Sequence, residues 1–341
     1  MRARPTKNMT YCNARLPRFW LRLLWAGAAT IPFVADAWGA GIAVGVAQTP
    51  LSTPFYVANK NGYFRDEGLD VVMVECPTGA ACLKQLLESK VQFATASDLP
   101  IMFRSFEAVP FKVLATFATS SQDVRLVTRA SSGVKSGADL KGKHVAVVRG
   151  SSGQYVLDLT LLAAGLDPRM VTIVDLDMDL KRLPQAAANP QVDAFALFQP
   201  GANQVIQLLG ADAVVLKIPQ LYTLNFNLIT LHDRSGGSED EQFKMLRALE
   251  RAVNFIKAEP AASMGILRDH LKLDASDVAA LWPNYRFALT LNQSLIATLE
   301  STARWAIQEQ FVNAVAPPNY LNFIDVRPLK RLRPSAVRLV K

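Results

Sequence analysis

The sequence predicts an α/β protein of two lobes, and three observations predict it. From residue 41 to residue 231, apolar strand-like runs alternate with helix-like runs, the pattern of sheets covered by helices. Strand ends open into loops of small and hydroxyl residues before the next helix, as in TPFYVANK, PTGAACLK and RGSSGQYV, so that a ligand site is assembled from loops and not from one reactive side chain. Residues 38–341 are too many for one small domain, and with 50% hydrophobic residues in the chain they can bury substantial cores.

The first element is a leader. Six basic residues (Arg2, Arg4, Lys7, Arg15, Arg18, Arg22) precede an apolar stretch from Leu23 to Ala35 and the small-residue pattern Ala35-Asp36-Ala37, the order of a secretory signal peptide. Residues 1–37 are therefore expected to be removed, by cleavage after Ala37 or Ala40, with export to a periplasm. The apolar run is interrupted by Pro32 and falls short of the roughly 20 residues of a spanning helix, which disfavours an uncleaved anchor. Cys12 precedes the apolar run, so no lipobox follows it. Without residues 1–37, Lys+Arg falls from 37 to 31 and Asp+Glu from 29 to 28. The formal charge drops from +8 to 31 − 28 = +3, so most of the basicity that would suggest nucleic acid belongs to the leader.

The alternating run GIAVGVAQ opens the body of the protein as a strand. VVMVE, VQFATAS, FKVLATFA, VRLVTRA, HVAVVRG, VTIVDL, VDAFALF, AVVLKI and LNFNLITL follow, and their alternation with helices predicts largely parallel sheets. Between them, CLKQLLES places Leu83, Leu86 and Leu87 on one helical face, and QYVLDLTLLAAG reads as a helix ended by Gly165. Cys76 and Cys82 remain as an even pair in an oxidising compartment. A disulfide between them would close a short loop and contribute about 2 kcal/mol; two buried free thiols are the alternative. Residues 123–130 and 221–231 can carry the chain between lobes. Two crossings insert a second lobe, residues 127–223, between the two parts of a first, residues 38–126 and 224–341. After Arg234 the pattern turns helical. Ser238 and Glu241 form a capping box, and Phe243, Leu246, Leu249, Val253 and Ile256 share a face until Pro260 stops the helix. Asp274 and Asn292 read as caps of two further helices, with Leu295, Leu299 and Ile307 facing a core.

In order along the chain, TPFYVANKNGYFRDEGLDV, the Gly79-Ala80 turn, KVQFATASDLP, DLKGKHVAVVRGSSGQYVLD, GLDPRMVTIVDL, QVDAFALFQP and PLKRLRPSAVRLV resemble the solute-binding proteins of ABC importers for sulfonates, taurine, nitrate and pyrimidine precursors. The resemblance implies a type II periplasmic binding protein fold: two doubly wound α/β lobes, joined by a two-strand hinge, that close on a small-molecule ligand. It further implies docking of the loaded protein, a diffusing monomer, on a membrane permease that works with an ATPase. The chain departs from this family at one instructive place. Where many relatives carry Trp-Glu-Pro, it has Phe198-Gln199-Pro200, and the neutral amide weighs against a ligand that needs a carboxylate there.

Among the loops, RGSSGQYVLD makes the strongest physical case. Gly150 permits a tight turn, Ser151 or Ser152 can cap the helix that follows, and the free N–H groups and dipole of that helix start form an anion seat beside Gln154. Ordinary capping without a ligand is the alternative. It is no P-loop, since no Gly-Lys-Ser/Thr follows at the required spacing, and no nucleophile elbow, since Gln154 stands where G-x-S-x-G needs glycine. In the first lobe Ser52 and Thr53, Thr78 and Gly79, and Ser97 and Asp98 lie at strand ends, where open α/β sheets bind ligands. Asp98 would repel an anion unless the ligand also carried an amine, and helix capping is its alternative role. Gln199 and Tyr222 are further candidate wall residues.

His144, His232 and His270 lack metal-ligand spacing, so no metal, cofactor or catalytic residue is expected, and structural roles are favoured for them. The basic tail LKRLRPSAVRLVK reads as a solvated edge or packing strap, with anionic lipid or the permease as the alternative. Three functions follow: an importer's binding component, a periplasmic sensory or accessory module, and an enzyme like the related pyrimidine-precursor synthases, which the leader, the cysteine pair and the scattered histidines disfavour.

Overall fold

A computed structural model describes residues 41–107, 109–177, 180–232 and 236–340. The expected leader, with Cys12, lies outside the described residues. The strands are β1 (Ile42–Ala47), β2 (Val71–Cys76), β3 (Phe93–Ser97), β4 (Phe111–Ser120), β5 (Val124–Arg129), β6 (His144–Val147), β7 (Thr172–Asp175), β8 (Ala194–Phe198), β9 (Ala213–Val215), β10 (Leu224–Leu231), β11 (Arg286–Asn292) and β12 (Val337–Arg338). The helices are α1 (Thr53–Lys60), α2 (Tyr63–Asp66), α3 (Gly79–Leu87), α4 (Asp98–Ser105), α5 (Ser152–Ala163), α6 (Leu183–Ala188), α7 (Gly201–Leu209), α8 (Glu239–Ala258), α9 (Pro260–Leu271), α10 (Ala275–Leu281), α11 (Gln293–Gln308) and α12 (Arg327–Leu332).

Two sheets result, in the orders β12-β11-β4-β10-β3-β1-β2 and β7-β6-β8-β5-β9, and they repeat one plan. β1 lies parallel between β2 and β3, as β6 lies parallel between β7 and β8. β10 then runs antiparallel between β3 and β4, as β5 runs antiparallel between β8 and β9. The sheets are therefore mixed, where the strand pattern predicted largely parallel pairing. β5 and β10 are each the first strand after a crossing between the sheets. A strand that enters a sheet at the edge where its parallel neighbours end must run against them.

Residues 121–123 and 216–223 span the crossings, and the expected lobe boundary at 126/127 falls inside β5. The polar residues Ser121 to Asp123 make this break between the two strands that the sequence read as FKVLATFA and VRLVTRA. β10 is buried at all eight positions, so it shows no alternation. Its polar Asn227 is paired: the side-chain amide donates to Ala96 O at 3.3 Å, and its Oδ1 accepts from Thr116 Oγ1 at 2.7 Å.

The C-terminal third, expected to be mainly helical, also supplies β11, whose Phe287, Leu289 and Leu291 alternate into the core against β4. Ser238 and Glu241 form the expected capping box, and α8 ends at Ala258, just before Pro260 opens α9. Asp274 and Asn292 occupy the N-cap positions of α10 and α11 but make no side-chain bond to the helix. The basic tail is a strap. Arg333 pairs with Glu250 at 3.1 Å and donates to Leu289 O at 2.7 Å, while the Arg331 guanidinium lies 3.9 Å from the Phe243 ring centre.

Two glycines set how closely helix starts approach the sheets. A Cβ at Gly79 would stand 2.9 Å from Ala96 Cα, and one at Gly153 would stand 2.3 Å from Ala196 O. Cys76, at the end of β2, is bonded to Cys82 on α3, with their Cα atoms 5.5 Å apart. Two outcomes are expected. Protein lacking residues 1–37, denatured without reductant, will show no free thiol in a thiol titration, whereas two thiols would mean that the bridge does not form. Gly153→Ala will lower stability by about 1–3 kcal/mol in urea unfolding, because α5 must move off β8; an unchanged midpoint would contradict the contact.

Candidate ligand-binding site

A cavity of about 400 Å³ opens between the two sheets, at the edge where their parallel strands end. The starts of α3, α4 and α5 border it, at Thr78 to Ala80, at Ser97, and at Ser151 with Ser152; Gln48 and Thr49, ahead of the turn at residues 50–52, and Gln199, two residues before α7, lie on the wall beside them. Each helix start carries unpaired N–H groups and the positive end of a peptide dipole, so the shared space favours negative charge.

The residues proposed from sequence divide into two groups. Thr78, Gly79, Ser97, Gly150, Ser151, Ser152 and Gln199 line the cavity. Thr78 and Ser151 cap their helices by accepting from Ala81 N at 3.2 Å and Gly153 N at 3.1 Å. Ser97 sits at the N-cap of α4 with no cap bond, and the Ser152 hydroxyl makes no hydrogen bond among the described residues, so both hydroxyls are uncommitted on the cavity wall. Gly150 adopts φ +69°, a left-handed turn that glycine takes without strain. Gln199 does not present a free amide. It accepts from Asn203 N at 3.2 Å and donates to Asn203 Oδ1 at 3.1 Å, bracing the start of α7.

Ser52, Thr53, Asp98, Gln154 and Tyr222 stand behind this wall. Ser52 and Thr53 are fully buried, with the Thr53 hydroxyl donating to Pro50 O at 2.5 Å; Gln48, Thr49 and Leu51 form the wall in their place. Gln154 Oε1 accepts from Gly150 N at 2.9 Å and holds the turn. Asp98 accepts from the Tyr222 hydroxyl, from Asn225 N at 2.8 Å and from Asn225 Nδ2 at 3.2 Å, tying α4 to the returning chain. Burial pushes the Asp98 carboxyl up to about 6, against the pull of those hydrogen bonds.

From Asp98 a seam of side chains runs between the helices of the two sheets. The Tyr222 ring meets Tyr155 on α5 edge to face at 5.4 Å, and Tyr155 meets Trp305 on α11 at 5.2 Å. The Trp305 indole then donates to Asp158 Oδ2 at 2.8 Å, back on α5. Burial raises Asp158 to about 6, and it raises Asp123, at the first crossing, to about 7.

The wall also holds residues that sequence reasoning missed. Arg104 and Arg149 border the cavity with Phe103, Phe226 and Phe311. Arg104 is paired with Glu107 at 2.6 Å. Arg149 makes no ion pair among the described residues, and its guanidinium lies 5.9 Å from the Phe311 ring centre. Phe103 had a readable signal, since it follows Leu99 by four positions on α4. Phe311, just beyond α11, had none, because only tertiary structure brings it to strand ends some 160 residues earlier in the chain.

The two repeated sheets, the double crossing and the cavity between them define a periplasmic binding protein fold. It matches the periplasmic aliphatic sulphonate binding protein SsuA from Escherichia coli with a TM-score of 0.71 at 19% identity, over 84% of this chain and 92% of that one. The family model described as NMT1/THI5 like matches residues 49–263, and the chain belongs to that family. A putative aliphatic sulfonates-binding protein of Bacillus subtilis (strain 168) is 27% identical over 251 residues, 71% of this chain and 73% of the relative. The chain is also similar to an enzyme-named relative, the 4-amino-5-hydroxymethyl-2-methylpyrimidine phosphate synthase THI13 of Saccharomyces cerevisiae (strain ATCC 204508 / S288c), 23% identical over 62% of this chain and 65% of that one.

The raised Asp98 carboxyl has a definite effect on stability. Because its folded value of about 6 lies above the ordinary 3.8, the folded state holds this proton more tightly than the unfolded chain does. Its contribution is fully present below pH 3.8 and is lost as pH rises through 6. Measured by urea unfolding, the stability of the parent protein relative to Asp98→Asn will therefore fall between pH 4 and about 6.5 and then level off. A difference that rises with pH would contradict the burial assigned to this carboxyl.

Proposed function

We propose that this protein is the substrate-binding component of an ABC importer. It is exported to a periplasm, captures a small oxyanion-bearing ligand between its lobes, and delivers it to a permease that works with an ATPase. The observation that carries the reading is the convergence of three helix starts, those of α3, α4 and α5, on one cavity beside Arg149, which makes no ion pair among the described residues. A site shared between lobes couples ligand binding to closure, since only the closed form satisfies both halves of the site, and that difference is what a permease can recognise. The names of the Bacillus subtilis relative and the Escherichia coli structure, a sulfonate binder and a periplasmic one, support the same reading.

The parts of the chain on either side of the crossings at 121–123 and 216–223 are the bodies that move. The protein works as a monomer. Among the described residues no helix is long and apolar enough to cross a membrane. Two observations favour binding over the chemistry of the synthase-named relative. Cys76 and Cys82 are bonded to each other, and His144, His232 and His270 stand apart at β6, at the end of β10 and on α9. No observation singles out a sensory role.

Thermal melting tests the proposal, on protein unfolded and refolded to remove any carried ligand. At a hundredfold excess over its dissociation constant, a true ligand stabilises the folded state by about 2.7 kcal/mol. At least one member of a panel of alkyl and aryl sulfonates, taurine, nitrate and aminopyrimidines is expected to raise the melting temperature. No shift across the panel would overturn the reading.

A further inference from the structure

The three helix starts account for attraction of an anion, but not for the shape of the space beside them. A three- or four-atom anion would fill only a small part of a 400 Å³ cavity. The rest of the wall is aromatic and apolar. Phe103 and Phe311 of the first lobe meet edge to face, with ring centres 6.2 Å apart at 87°, and Phe226 of β10 stands beside them on the wall. Phe198, at the end of β8, contributes from the second lobe. This aromatic wall begins at the anion seat itself: a Cβ on Gly150 would stand 3.5 Å from Phe103 Cζ.

The charges on the wall bound the ligand's charge. Arg104 is neutralised by Glu107, which leaves the Arg149 guanidinium as the unpaired cation among the described wall residues. Asp123 also lines the wall, where it accepts from the Tyr285 hydroxyl at 3.3 Å and burial pushes its carboxyl up to about 7. With that acid held largely by its own partner, the Arg149 guanidinium beside the hydroxyl-rich start of α5 matches one negative charge.

We infer that the ligand is a planar aromatic monoanion, with its oxyanion at Ser152 and Arg149 and its ring between Phe198 of one lobe and Phe103 and Phe311 of the other. This specifies the substrate class of the proposed binding function and rests on that reading. Aromatic rings prefer the edge-to-face and offset contacts that this wall offers, over and above the area they bury, and an alkyl chain gains only the area. The site therefore discriminates by ring as well as by charge.

Calorimetric titration of the refolded protein with four probes tests the inference: naphthalene-2-sulfonate, naphthalene-2-sulfonamide, hexane-1-sulfonate and taurine. The arenesulfonate is expected to bind about tenfold more tightly than the alkanesulfonate or the uncharged sulfonamide, and taurine more weakly still. Arg149→Gln will erase the preference for sulfonate over sulfonamide while keeping the ring preference. Phe311→Leu will narrow the gap between naphthalene and hexane sulfonates and leave taurine unchanged. Hexane-1-sulfonate or taurine binding as tightly as the arenesulfonate would overturn the aromatic assignment and leave the binding-protein reading intact. Full retention of the sulfonate preference in Arg149→Gln would overturn the placement of the anion. Failure of every probe here and of the whole melting panel would remove both readings together.

Discussion

Asp98 is fully buried at the start of α4, and its carboxyl accepts from the Tyr222 hydroxyl and from both amides of Asn225. Those partners lie where the chain returns from the second sheet to the first, so this cluster fixes the point at which β10 enters between β3 and β4. A buried carboxyl without such partners would be costly, and each partner would lose its own bond without the carboxyl. The cluster thereby couples three things: the start of a helix that borders the cavity, the second crossing between lobes, and the aromatic seam through Tyr155 and Trp305 to Asp158. Asp98, which the sequence offered as the most discriminating contact or as a helix cap, is committed to these partners and stands behind the cavity wall.

The repeated sheet plan explains why the cavity is where it is. In each sheet three parallel strands end at one edge, and the chain crosses between sheets at that same edge. Helices that follow parallel strands must begin there, so both lobes present helix starts to a common space. Glycine at positions 79 and 153 lets α3 and α5 press close to the strands beneath them, and the serines at helix starts leave hydroxyls toward the cavity. An anion bound there replaces water as the partner of N–H groups that no residue of the helix itself can satisfy.

Much of this was legible in the sequence. The strands, the Ser238 capping box, the left-handed turns at Gly150 and Gly165, and the hydroxyl-rich strand ends are local properties, and each follows from periodicity or from one residue's conformational preference. The direction of β5 and β10 was not legible, because pairing is decided by where a strand enters a sheet and not by its composition. β11 was obscured by the helices around it, although its alternation is clear once Phe287, Leu289 and Leu291 are seen to face β4. In the site, sequence reasoning found the hydroxyls and missed the rings. Thr78 and Ser97 stand next to helix starts, whereas Phe226 and Phe311 reach the cavity only through the return of the chain from the second sheet to the first. The same reasoning placed Ser52 and Thr53 on the wall, but the turn at residues 50–52 brings Gln48, Thr49 and Leu51 there instead.

The central claim is that one ligand is held by both lobes at once, with its charge at the start of α5 and its body among the rings. A crystal structure of the protein grown with naphthalene-2-sulfonate tests this most directly. The account predicts sulfonate oxygens within hydrogen-bonding distance of Ser152 and the Arg149 guanidinium, and the ring system in contact with Phe198 and Phe103 from opposite lobes. A sulfonate bound to one lobe only, or outside the space between the sheets, would contradict it.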